Sequence, residues 1–265
     1  MAYANQVERL VLQRATWYVP IRGLIRVAVT SLAIGSIVAQ AAETATLRLV
    51  SADFPPFTVE SGPGTPGALS EVVEKLADRI GMPVPIEFFP WQRAKIMPTK
   101  LHRVAVLPLT RIPEREHDYV WLVELYRQDY MFVSRGDRQL DLDSFDAMRP
   151  LRVGVMHGSA GVDMLQRRHF PHLVTGLTHQ DLWRMLDTGL IDVIFGGREV
   201  ETYRLRELGY NPKQFRFGKS LDGGSIWLGG SSDFTAQDVA QWTHAMDEIK
   251  QDGTYAQILM KYGIR

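Results

Sequence analysis

Leu107-Pro-Leu-Thr-Arg-Ile-Pro-Glu-Arg115 follows the apolar run Val104-Ala-Val-Leu107 and lies downstream of Trp91-Gln-Arg-Ala94. A strand ending in Thr110 and then Arg111 places a hydroxyl and a guanidinium beside each other at a strand's carboxyl end. In an open α/β sheet that end is where ligands bind. An arginine held there by its neighbours grips a carboxylate with two parallel hydrogen bonds. The stretch points to a small-molecule binding site, not to a nucleophile or a metal.

Upstream, Leu47-Arg-Leu-Val50 reads as a strand, and Leu69, Val72, Val73, Leu76 and Ile80 recur at helical spacing before Gly81 stops the helix. Val84 to Phe89 reads as a second strand, and a short helix runs from Trp91 until Pro98 interrupts it. With Val104 to Leu107 as the third strand, the order is βαβαβ, which calls for a parallel sheet with helices on both faces. Downstream the pattern repeats. Leu151-Arg-Val-Gly-Val-Met156 is a strand, Gly158-Ser-Ala-Gly161 turns into a helix, and Thr178-His-Gln-Asp181 caps another that Gly189 stops. Leu190-Ile-Asp-Val-Ile-Phe195 is a buried strand, Val200 to Leu208 is a helix, and Thr235-Ala-Gln-Asp238 caps a helix near the C-terminus. Two βα sets predict two lobes of similar architecture.

The 265 residues are 45% hydrophobic and 10% aromatic, enough to build a core. Thirty basic residues balance thirty acidic ones, so nucleic acid is not an expected partner. Cys is absent, which removes disulfides, thiolate metal sites, Cys nucleophiles and cysteine lipidation. Arg22 and Arg26, the short apolar run Val27 to Val38 and Ala39-Gln-Ala41 read as a secretory signal peptide over residues 1–42, although the start of translation is left open. Pro171 between His169 and His172 argues against a histidine pair on one helix face, and no metal or cofactor is expected.

Asp53-Phe-Pro-Pro-Phe57, Thr110-x-x-Pro-Glu-Arg115, Val153-Gly-Val-Met-His-Gly-Ser159 with Gly189-Leu-Ile-Asp192, and Ile249-Lys-Gln-Asp-Gly-Thr-Tyr-Ala-Gln-Ile258 occur in an order that resembles the extracellular solute-binding proteins of family 3. These are the polar amino-acid type that serve ABC importers. The resemblance implies an α/β, two-lobed, type II periplasmic-binding-protein-like clamp, each lobe a mostly parallel sheet flanked by helices. Residues 45–132 plus 226–265 would form lobe 1 and 133–225 lobe 2, with hinge crossings near Met131-Phe-Val-Ser134 and Gly223 to Leu228. It implies a periplasmic monomer that binds a small carboxylate-bearing solute and docks on a membrane permease, without enzymatic activity. Arg115 would take the carboxylate beside the Thr110 hydroxyl. Gly158, Ser159 and Ala160 would offer backbone N–H groups at a helix start, and Phe54 and Trp91 would wall the pocket.

One departure matters. Where such proteins commonly place an acidic side chain for the ligand's ammonium, this chain has Gly197, followed by Arg198. Either the solute has no free amine, or Asp53, Glu71 or Glu199 substitutes. His157 lies beside the Gly158-Ser159 turn as a structural histidine or a cleft wall. Two other functions fit the same scaffold: a dehydratase acting on small cyclohexadienyl acids, with His157 or Glu199 as the acid, and a ligand-sensing partner of a membrane receptor.

Overall fold

The computed structural model describes residues 46–60 and 65–264, so the expected signal peptide lies outside the described residues. The first βα set comprises β1 (Arg48–Ser51), α1 (Ala68–Arg79), β2 (Ile86–Phe88), α2 (Trp91–Lys100) and β3 (Val104–Thr110). Then come a long strand β4 (Val120–Arg135), a short helix α3 (Phe145–Met148), β5 (Val153–Met156), α4 (Ala160–Arg167), β6 (Leu173–Gly176), α5 (His179–Asp187), β7 (Val193–Gly197) and α6 (Arg198–Glu207). The chain closes with β8 (Phe215–Phe217), β9 (Asp222–Gly230), α7 (Ala236–Gln251) and α8 (Thr254–Lys261).

The strands join in the order β2-β1-β3-β9-β4-β7-β5-β6, with β8 also on β4. β1 is parallel to β2 and β3, and β5 is parallel to β6 and β7. Between these two parallel blocks runs an antiparallel ribbon of β4 and β9. β4 changes partner along its length: Val120 to Tyr130 pair with β9, and Tyr130 to Ser134 pair with β7. The fold is thus the expected two-lobed α/β clamp, with parallel blocks on either side of a shared ribbon.

Helices cover each block. Leu69, Val72, Val73 and Leu76 of α1 and Trp242, Met246 and Ile249 of α7 bury against the first block, and Met164, Leu165 and Phe170 pack on the second. Two helix starts carry full capping boxes, Thr178 with Asp181 and Thr235 with Asp238, as their sequences predict. Pro98 does not end α2, which runs on to Lys100. A proline there costs the helix one bond one turn from its end, where carbonyls are going unpaired in any case.

Asp238 does more than cap. It also takes a bidentate contact from Arg103, both bonds 3.0 Å, so α7 is tied to the start of β3. The Arg103 guanidinium, with help from Thr235, holds the Asp238 carboxyl down at about 2. Because the folded-state value lies below that of the unfolded chain, the contribution is complete above about pH 4 and is lost as pH falls toward 2. Asp238→Asn is expected to cost about 2 kcal/mol at pH 7 and much less near pH 2. Urea denaturation of both proteins at the two pH values checks this.

Candidate functional site

The carboxyl ends of β1, β3, β5 and β7 point into the space between the lobes, and the residues that follow them build the site. An inner cavity of about 70 Å³ is lined by Phe54 after β1, Thr110 and Arg115 after β3, Ser159 and Ala160 after β5, and Gly197 at the end of β7. Trp91 at the start of α2 completes that wall. Phe54 and Trp91 meet edge to face with centroids 5.2 Å apart. Seven of the eight residues singled out in the sequence therefore share one cavity, and the eighth, Gly158, supplies a carbonyl beside it.

Arg115 is only 6% exposed. Its Nη1 donates to Thr110 O at 3.3 Å, and its Nη2 donates to Gly158 O at 3.1 Å and reaches Asp163 Oδ2 at 3.4 Å across the cleft. Trp91 Nε1 and Lys95 Nζ donate to the same Gly158 oxygen, each at 3.1 Å. Three donors, two of them cationic side chains, converge on a carbonyl that offers two lone pairs. Burial pushes the Asp163 carboxyl up and the Lys95 ammonium down. The Gly158 carbonyl thus meets more donors than it has lone pairs.

The α4 start is used differently from the expectation. Gly158 turns its carbonyl toward the other lobe, and the Ser159 N–H is spent on Met156 O at 3.1 Å. Gly158 has φ +68°, and a Cβ there would collide with the Gln92 amide of the facing lobe. The Thr110 hydroxyl lies 3.2 Å from the Tyr130 hydroxyl. Arg111 leaves the cavity, pairing with Glu116 and lying over the rings of Trp121 and Trp227.

The paired glycines ending β7 have a concrete use. A Cβ on Gly196 would strike the Glu201 carboxylate, and one on Gly197 would strike the Gln128 amide. Glu201 is fully buried and accepts from Trp183 Nε1 at 2.8 Å, with His179 Nδ1 also 2.8 Å away. His179 lies on the cavity wall, its ring 6.0 Å from Phe54. Of the proposed substitute acids, Glu71 is tied to Lys261 and Tyr262, and Glu199 accepts from Tyr126 at 3.0 Å and is pushed up by burial. Asp53 pairs with Arg204 at 2.8 Å on the wall of a neighbouring cavity. Arg198 faces away and donates to Gly218 O at 2.9 Å.

Sequence reasoning missed Gln128, Tyr130, His179 and Glu201. Gln128 and Tyr130 sit on β4, whose strand character the local pattern hides. His179 was legible only as part of a helix cap. Among the described residues, no three His, Asp or Glu side chains converge as a metal site, and no helix is long and apolar enough to cross a membrane.

No protein family's sequence profile matches the chain, and no characterised protein matches it by sequence. Solved structures do match in shape. The GluR0 ligand-binding core from Nostoc punctiforme, in complex with L-glutamate, superposes with TM-score 0.68 at 16% identity, covering 82% of this chain and 98% of that one. A histidine kinase sensor domain similar to periplasmic binding proteins gives 0.73 at 17%, covering 82% and 95%. An ancestral arginine-binding protein bound to arginine gives 0.70 at 16%, covering 82% and 98%. Parallel blocks joined by a shared ribbon, a cleft at their strand ends and these neighbours together show that the chain has the two-lobed fold of the periplasmic binding proteins.

Proposed function

We propose that this protein captures a small carboxylate-bearing solute, an amino acid or related organic acid, in the periplasm and delivers it to the permease of an ABC importer. The observation that carries the reading is the crowding of Arg115, Lys95 and Trp91 donors on the single Gly158 carbonyl. An acid entering the cleft supplies the acceptors this cluster lacks. Because the donors belong to one lobe and Gly158 to the other, an acid held among them would bias the hinge toward closure. We assign residues 45–132 with 226–265 to one lobe and 133–225 to the other, in a monomeric protein. Phe54, Trp91, Thr110, Arg115, Gly158, Ser159, Ala160 and Gly197 form the binding surface, and the solute leaves unchanged. Solved structures of this shape include amino-acid-binding proteins, in keeping with such a role.

The test is a melting-temperature screen of the purified protein against amino acids and organic acids, each paired with its neutral amide. A ligand that binds only the folded form raises the melting temperature. The reading expects a shift of several degrees with at least one acid and none with its amide. Equal shifts with acid and amide, or no shift with any acid, would remove it.

A second reading, a ligand-sensing partner of a membrane receptor, is favoured by the likeness to a histidine kinase sensor domain. It keeps the same acid site and differs only in what the closed form meets. Solute-dependent stimulation of a permease's ATPase would decide for import.

A further inference from the structure

The inner cavity is small and carries one sign of charge. Its 70 Å³ gives room for about five to seven water-sized groups at roughly 10–15 Å³ each. Arg115 lines it, Lys95 donates to the same carbonyl as Arg115, and among the described residues no aspartate or glutamate lines it. A free ammonium in this space would meet the Arg115 guanidinium, while the nearest carboxylates, Asp163 and Glu201, stand outside the lining and are already engaged, one by Arg115 and the other by Trp183 and His179. A carboxylate on a short stem fits; a free amine beside it does not.

A second, outer cavity of about 530 Å³ abuts the inner one and shares three of its walls: Trp91, Met156 and His179. Two of these are pinned, Trp91 by its bond to Gly158 O and His179 by Glu201. Met156 is an unbranched thioether with three rotatable bonds, and so is the partition that gives way most readily. Beyond it stand Phe88, Phe89 and Leu177, the last 75% exposed, while Asp53 there is already matched by Arg204. The outer cavity therefore offers flat and apolar surface next to a head group site with room for only the smallest acids.

We infer, building on the acid-capture reading above, that the two cavities form one site for an amine-blocked acid of the N-acylamino acid class. The carboxylate and its α-carbon occupy the inner cavity beside Arg115. The acyl group, its nitrogen uncharged in an amide, passes Met156 and lies against Phe88 and Phe89 in the outer cavity. The amide linkage removes the positive charge that the inner cavity cannot match.

Titration calorimetry with acetate, glycine, N-acetylglycine, N-benzoylglycine and its methyl ester tests this. N-benzoylglycine should bind at least tenfold more tightly than N-acetylglycine, while glycine and the ester should bind at least tenfold more weakly than N-acetylglycine. Phe88→Ala, at a wall of the outer cavity alone, should weaken N-benzoylglycine at least tenfold and leave N-acetylglycine within twofold; the retained binding shows that the variant is folded. Phe89→Ala, outside the inner cavity, should give the same contrast in smaller measure. Equal affinity for the two acylated acids, equal losses for both in Phe88→Ala and Phe89→Ala, or tighter binding of glycine than of N-acetylglycine would overturn the inference and leave the acid-capture reading standing. So would binding of free amino acids by a protein that ignores the whole acylated series. Failure of this series and of the wider acid panel would overturn both.

Discussion

Glu201→Leu is expected to destabilise the protein by about 4 kcal/mol. The carboxylate is fully buried and is the acceptor for the Trp183 indole N–H, with the His179 ring nitrogen at the same 2.8 Å. Leucine leaves both partners buried and unmatched, at about 1–3 kcal/mol each. Glu201→Gln keeps one acceptor oxygen but adds an amide donor, so it should lose about half as much. Because His179 is aimed by Glu201, both variants should also loosen the cavity wall beside Phe54. Urea denaturation, with Trp183 as an intrinsic probe, measures the loss. A cost below about 1 kcal/mol would mean that Trp183 and His179 find other partners or water.

Arg115→Gln is expected to lower the affinity for any acid identified in the screen by about a hundredfold. Two charge-assisted bonds at about 1.5 kcal/mol or more each set that scale. The same guanidinium joins the lobes through Gly158 O and faces the Asp163 carboxylate. Its removal therefore strips the acid site of its most buried cation and also takes from half-buried Asp163 the largest of its counter-charges, leaving Lys95 and Arg167. Asp163→Asn makes a useful companion, because it relieves that second penalty while keeping Arg115. In the double variant, stability should recover and acid affinity should not. Calorimetry on all three proteins separates the effects, and affinity for the acid within threefold of the parent in Arg115→Gln would remove the arginine from the binding role.

Much of the fold was legible in the sequence because several elements carry their own signals. The α1 periodicity, the Thr178 and Thr235 caps and the apolar runs of β3, β5 and β7 are local patterns that packing reinforces. β4 and β9 were not legible as continuous strands. Register shifts at Trp121/Val123 and Glu124/Tyr126 break the alternation, and Glu124, Arg127, Gln128 and Asp129 interrupt the apolar sequence where β4 passes between the lobes. β9 opens with Asp222-Gly-Gly, which offers no strand-forming side chain and is held in place by β4. The expected strand over 84–89 shrinks to Ile86–Phe88 because Pro83 and Pro85 bring no N–H to the ladder. At the candidate site, Arg115, Phe54 and Trp91 could be found because they belong to recognisable sequence motifs, Thr110 to Arg115, Asp53 to Phe57 and Trp91 to Ala94. Glu201 and Gln128 could not, since only the assembled fold brings them against Gly196 and Gly197.

The β4–β9 ribbon has a consequence for how the molecule moves. Nine antiparallel residue pairs, with register shifts at Trp121/Val123 and Glu124/Tyr126, run from Val120 opposite Gly230 to Tyr130 opposite Asp222. Sliding one lobe past the other would shear that whole ladder at once, whereas bending or twisting it where Gly223 and Gly224 lie opposite Asp129 and Gln128 disturbs few bonds. A Cβ on Gly223 would meet nothing within 4 Å, so the backbone has free space at that point. Any opening that keeps this ladder intact is therefore a rotation about a single pleated axle and not a slide along it.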